Sequence, residues 1–209
     1  MCYAYTIHEL SKLIDIYMPK IIDEKFKMYR EVSVVRPTSY APIIRNNDKN
    51  ETELTVMRFG LIPFWTKDVK KLSPLCNARV ETIFDKPSFK HSITSKRCIV
   101  PVSSFYEYDR SNKKPIPHSF NTNEKIFSLA GIYDEWRDND KTVESFSIIT
   151  TSANDQVSKI HDRMPLILPN EYEREWVGNI DSGIALTSLL NELTINSKEV
   201  MLSDVLVSK

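Results

Sequence analysis

A succession of short β-branched and aromatic runs, broken by prolines and polar turns, constrains this chain more than any other feature. TELTVMRFGLIPFW (52–65) alternates up to Pro63, and RCIVPV (97–102) reads as a buried strand continuing towards FYEY (105–108). PIPHSF (115–120), KIFSLAGIYDEWR (125–137) and the strongly β-branched VESFSIITTSA (143–153) read as further strands. Residues 31–45 mix β-branched residues with Pro37 and Pro42, a short strand and a loop. Helical spacing is confined mainly to the two ends. In TIHELSKLIDIY (6–17), Ile7, Leu10, Leu13, Ile14 and Tyr17 recur on one face, with Thr6 placed to cap it and Pro19 to end it. Ser88–Ser95 reads as a short helix or turn, Glu171–Val177 and Ser182–Leu193 as helices, and KEVMLSDVL (198–206) as a closing strand. The expectation is a single α+β domain over residues 1–209. Its core would be a curled, mostly antiparallel β-sheet or barrel flanked by helices.

Charge and cysteine content narrow the function classes. Lys and Arg number 28 and Asp and Glu 28, so the chain as a whole has no charge bias towards nucleic acid, and any basic surface must be local. One window is basic: from Arg58 to Val100 basic residues outnumber acidic ones by six, whereas from Glu171 to Lys209 acids lead by four. The 3 cysteines, Cys2, Cys76 and Cys98, form neither a C-x-x-C pair nor an even framework. That pattern points away from disulfides and a zinc site and towards a reducing, cytoplasmic setting. No apolar stretch approaches a membrane span, and no signal segment precedes Cys2.

Cys2 has a chemistry of its own. Trimming of Met1 would leave it as the N-terminus, with a thiol and an α-amine on one carbon skeleton. These titrate near ~8.5 and ~8, so both have a nucleophilic form near neutral pH. Such a pair captures an aldehyde by imine formation followed by thiol attack, closing a five-membered thiazolidine ring. An internal cysteine cannot do this.

Three further stretches hold polar groups of the types this reaction needs. In CNARVET (76–82), Asn77, Arg79 and Glu81 alternate, and on an extended segment they would share one face. In SFYEYD (104–109), Glu107 lies between two tyrosines directly after an apolar run, a setting that raises a carboxyl pKa and suits acid–base work. In KIHDRMPLILP (159–169), His161 and Arg163 precede an apolar segment. Each stretch also has a structural reading: a capped loop, a strand-end glutamate facing water, a buried histidine in the core.

Together, CNARVET, FYEY, SLAGIYDEW and IHDRMPLIL, with Cys2 after the initiator and FGLIPFW between, resemble the SRAP domain, the family named for SOS-response-associated peptidases. The resemblance implies a sensor of abasic sites in single-stranded DNA that links itself covalently to the open-chain sugar aldehyde, nucleoid-associated when bound. On that resemblance Cys2 forms the ring, Asn77 holds the Cys2 end and the sugar, Glu107 shuttles protons, and His161 helps open the sugar ring. Arg79 and Arg163 hold flanking phosphates, and Thr150 lies close to the pocket. Read from residue type alone, Tyr106, Tyr108 and Trp65 are candidate stacking surfaces for unpaired bases. The resemblance implies no metal and no cofactor; a monomer is the default expectation. The family commonly begins Cys-Gly-Arg, whereas here Tyr3 and Ala4 follow Cys2, so a phosphate-binding arginine is absent beside the nucleophile. Two other readings remain open. One is a thiol peptidase using Cys2 and His161 with Asn77 or Glu107; the other is a non-covalent reader of single-stranded or modified DNA.

Overall fold

A computed structural model of the chain describes residues 3–30, 34–111 and 113–207. The first half runs β1 (Ala4–Thr6), α1 (Lys12–Tyr17), β2 (Ile21–Ile22), α2 (Glu24–Lys27), β3 (Tyr40–Asn46), β4 (Thr52–Phe59), β5 (Asn77–Arg79) and α3 (Lys90–Ser95). It continues through β6 (Arg97–Val102), β7 (Ser104–Asp109), β8 (Ile116–Asn121), β9 (Phe127–Asp138) and β10 (Lys141–Ser152). The last part holds β11 (Arg163–Pro165), β12 (Ile167–Leu168), α4 (Glu173–Val177), α5 (Gly183–Glu199) and β13 (Ser203–Leu206).

The order β10–β4–β3–β6–β9, with β9 pairing back onto β10, closes a five-stranded barrel. The fold is therefore mixed α+β on a barrel core, and closure removes the free edges an open sheet would leave. All the ring contacts are antiparallel except β10 with β4. A second, antiparallel sheet has the order β1–β7–β8–β13. Aromatic side chains join the two: Tyr5 of β1 meets Phe59 of β4 edge-on at 5.6 Å, and Phe59 stacks on Phe146 of β10 at 5.1 Å. All three are fully buried, and each such ring contributes roughly 2–3 kcal/mol of transfer free energy.

Local sequence explains most of these elements and also the departures. The strand periodicity over 52–59 and 97–102 forms as expected. The runs at 125–137 and 143–153 become the 12-residue arms of a hairpin turned through Asn139, whose φ of 49° suits asparagine. β3 passes through Pro42 on a stretch where, among the described residues, it pairs with β4 alone. The helix expected from Thr6 is shorter. Tyr5 and Thr6 are claimed by β7, Thr6 Oγ1 meets Ser104 Oγ at 2.8 Å, and Glu9 adopts φ 57°, so α1 starts only at Lys12. The C-terminal strand is shorter too, because Lys198 and Glu199 complete α5. That helix is capped by Ser182, which accepts the Ala185 N–H, and buries Leu186, Leu189, Leu190 and Leu193.

Candidate functional site

The far end of β10 collects residues from three separate stretches. Parallel pairing sets Asn77 against Ile148 and Arg79 against Thr150, while antiparallel pairing sets Thr150 against Pro165 and Ser152 against Arg163. Within β5, Ala78 is buried and Arg79 exposed, so Asn77 and Arg79 share the outward face. Glu81 does not continue that face, because the backbone winds into a 3-10 turn at Val80–Thr82. It reaches Arg163 instead: Nη1 and Nη2 donate to Glu81 Oε1 and Oε2 at 2.6 and 2.9 Å. Nη2 also donates to the Thr150 carbonyl at 2.7 Å. Burial pushes the Glu81 carboxyl up, but the Arg163 hydrogen bond and charge win and hold it below the usual carboxylate range. Arg163 is 9% exposed and Thr150 fully buried, so the guanidinium that the resemblance gave to a phosphate is committed to Glu81 and the backbone. Arg79 is the exposed cation of this cluster.

Glu107 lies within β7, opposite His118 of β8, and is 1% exposed. Its dry setting has a different source from the flanking tyrosines. Alternation turns Tyr106 and Tyr108 to the other face of the sheet and aligns Glu107 with buried Phe105, which stacks on Phe120 at 5.3 Å. Burial pushes the Glu107 carboxyl up to about 7, against an opposing pull that includes the charge of Arg110.

His161 follows the 3-10 turn Val157–Lys159, and burial holds its imidazole below the ordinary histidine range. Its Nδ1 accepts the backbone N–H of Arg163 at 3.0 Å, which leaves the ring proton on Nε2 in the neutral form. Asp162 Oδ1 lies 2.9 Å from the same nitrogen, a contact that needs a proton there and so belongs to the imidazolium. The lowered pKa favours the first arrangement. Arg110 and Asp162 act on the titration of both Glu107 and His161, so the end of β7 and the loop before β11 share one electrostatic field.

Trp65, 51% exposed, lies on the loop that leaves β4 at Gly60, where φ is 103° and a Cβ would meet Pro74 Cβ at 2.8 Å. That loop is held by buried side chains. Ser145 Oγ accepts the Ile62 N–H and Asp134 Oδ2 the Phe64 N–H, both at 2.8 Å, while Trp136 Nε1 donates to Thr66 O at 2.7 Å. Ser145 and Thr150 are five residues apart on β10, roughly 17 Å, so the loop that carries Trp65 is anchored at a different point of the strand from the Thr150 cluster. Tyr108, on the opposite face from Glu107, is not gathered with it either.

Sequence reasoning passed over Arg110, whose charge reaches both titrating groups, although its place three residues after Glu107 was a usable signal. It also passed over Phe64, as exposed as Trp65 and edge-on to His91 at 5.3 Å. The basic window is weaker than its count. Lys96 pairs with buried Asp134 at 2.7 Å, and Arg97 donates to the carbonyls of Ile93, Thr94, Trp176 and Gly178, bracing the C-termini of α3 and α4.

Cys2 lies outside the described residues. Two residues later, β1 opens with Ala4 paired to Tyr106, next to Glu107. Among the described residues, no group of three or more His, Cys, Asp and Glu side chains could hold a metal ion, and no helix is long and apolar enough to cross a membrane.

The family model for SOS response associated peptidase (SRAP) matches residues 1–206. The chain is 38% identical over 182 residues to the abasic site processing protein YoaM of Bacillus subtilis, covering 85% of this chain and 79% of that protein. It is 29% identical over 173 residues to the abasic site processing protein HMCES of Xenopus tropicalis, covering 68% of this chain and 52% of that longer protein. Among solved structures, a Bacteroides thetaiotaomicron protein superposes with a TM-score of 0.81 at 31% identity, covering 99% of this chain and 92% of that one. The chain belongs to the SOS response associated peptidase (SRAP) family.

Proposed function

We propose that this protein processes abasic sites by forming a thiazolidine crosslink between Cys2, freed by removal of Met1, and the ring-opened deoxyribose aldehyde in single-stranded DNA. It acts as a monomer and draws on no cofactor. The α-amine adds to the aldehyde carbon, and loss of water leaves an imine. The thiol sulfur then attacks the imine carbon, its proton passes to the nitrogen, and the ring closes with water as the only by-product. A carboxyl that titrates near neutral pH can serve both halves, as acid for the departing water and as base for the thiol, which is the part given to Glu107. His161, neutral and carrying its proton on Nε2, gives that proton to the sugar-ring oxygen and takes up the anomeric hydroxyl proton in return, so the ring opens to the aldehyde with the imidazole left neutral. Asn77 holds the sugar by hydrogen bonds, Arg79 meets a flanking phosphate, and Trp65 stacks on a base. Arg163, bound to Glu81 and to the Thr150 carbonyl, holds β11 and with it the loop that carries His161.

The observation that carries this reading is the register of β1. Ala4 pairs with Tyr106, beside buried Glu107, so the strand that follows Cys2 in the sequence runs alongside a carboxyl poised near pH 7. A thiol peptidase would need an imidazole nitrogen open to the thiol proton and an orienting group on the other. In the neutral ring described here a backbone donor occupies Nδ1 and the proton is on Nε2, which weighs against that reading.

The test is intact mass after incubation with single-stranded DNA carrying one abasic site. A denaturation-resistant species of protein lacking Met1 plus DNA minus water is expected, absent with an undamaged strand and with Cys2→Ser. If wild-type protein with a free N-terminal cysteine gives no adduct but still binds the strand, the non-covalent reading replaces this one.

A further inference from the structure

We propose that Asn154 is a positioning residue for His161, and that the C-terminal segment Val200–Leu202 acts on the reaction through it; this rests on the acid role given above to His161. Asn154 is 7% exposed and uses both ends of its amide. Nδ2 donates to the Val200 carbonyl at 3.3 Å, and Oδ1 accepts the Val157 N–H at 3.0 Å, capping the 3-10 turn. The Val157 carbonyl then accepts the His161 N–H at 2.9 Å, and His161 Nδ1 accepts the Arg163 N–H at 3.0 Å. Each link is a hydrogen bond to the backbone or side chain that bears the next, so a continuous path leads from Val200 to the imidazole.

A second link runs beside the first. Gln156 donates through Nε2 to the Leu202 carbonyl at 2.6 Å and accepts the Leu202 N–H on Oε1 at 2.8 Å, copying the two-bond exchange of a strand pair. The turn is closed at its ends by the Ala153 N–H on the Asp162 carbonyl at 3.0 Å. Truncating Asn154 leaves the Val157 N–H and the Val200 carbonyl without these partners. The turn then loses its cap, and the bond that keeps the His161 proton on Nε2 is no longer held in place. A residue that merely anchored the C-terminus would affect stability alone. One that positions His161 affects the step needing a proton at the sugar oxygen and spares a reaction that needs none.

The test compares two aldehydes. Asn154→Ala and Gln156→Ala proteins are reacted with abasic single-stranded DNA, whose sugar must open, and with propanal, which has no ring to open; adduct is followed by intact mass. Binding is measured on a strand carrying tetrahydrofuran in place of the abasic sugar, which has no aldehyde. Asn154→Ala is expected to slow the DNA adduct about tenfold, part of the ~10²–10⁴ that a general acid supplies. Its rate–pH profile moves towards the ordinary histidine range, while propanal capture and tetrahydrofuran-strand binding stay unchanged. Gln156→Ala moves the DNA rate in the same direction by less. Wild-type rates in both folded variants, or equal slowing with both aldehydes, overturn the proposal; if Asn154→Ala fails to fold, Gln156→Ala decides alone. A wild-type protein that forms no adduct with abasic DNA overturns the parent reading instead.

Discussion

Replacing Glu107 by Gln should change how stability responds to pH, with a predictable sign. Burial moves this carboxyl from 4.5 to about 7. Below pH 4.5 the group is protonated in both folded and unfolded chains and has no effect. Between pH 4.5 and 7 the unfolded chain loses its proton first, the folded state holds the extra proton, and stability falls as pH rises. Above 7 the ionised, buried carboxylate costs the folded state about 3 kcal/mol, at ~1.4 kcal/mol per tenfold change in proton affinity. Glu107→Gln abolishes the titration and adds only a constant offset. The difference in unfolding free energy, Gln variant minus wild type, should therefore grow by about 3 kcal/mol from pH 4 to pH 8. With a urea dependence of ~2 kcal/mol per molar, the midpoints diverge by roughly 1.5 M over that range. Tryptophan fluorescence during urea unfolding at unit pH steps reads it directly. A difference that stays flat, or grows towards acid pH, refutes the claim that desolvation dominates at Glu107. The claim that it exchanges protons near neutrality would then fail with it.

Glu81→Gln removes the charge from the bidentate pair with buried Arg163, and because Glu81 is half exposed the loss should be near ~2 kcal/mol. For a chain of this length calorimetry should record a fall in Tm of roughly 4–8 °C. Trp65→Ala should weaken binding to single-stranded DNA by ~1–3 kcal/mol with an unchanged salt dependence, since a stacking surface and no phosphate contact is lost; fluorescence anisotropy at several salt concentrations checks both.

The strands of the barrel were legible because β-branched alternation is a local signal and burial on one face reinforces it. At the N-terminal helix a long-range contact overrides a local period. Thr6 has the look of a cap in sequence, but β7, nearly a hundred residues later, offers it a strand partner. The site was legible as residue types and only partly as geometry. Asn77 and Arg79 could be assigned a common face from spacing, whereas the capture of Arg163 by Glu81 depends on where a 3-10 turn happens to aim a carboxylate. The dryness of Glu107 does not come from the tyrosines that flank it in sequence, since the strand turns both to the other face. The bracing of the His161 turn by Asn154 and Val200 joins positions 46 residues apart and leaves no trace in any short window.

The pairing of β10 has a consequence for how the chain can change length. Asn77, Arg79, Arg163 and Pro165 are all indexed to one strand, through Ile148, Thr150 and Ser152. Because β10 is also tied to β9 and β4 inside a closed ring, it cannot slide to absorb an error. A residue inserted or deleted within 145–147 would turn the remainder of β10 over, and would put β5 and β11 opposite the wrong residues in the same step. The stretch between Thr66 and Pro74, in the connection from β4 to β5, can drift in length so long as its ends return to the same marks. β10 itself behaves as a ruler, and its length is the measurement on which the site is assembled.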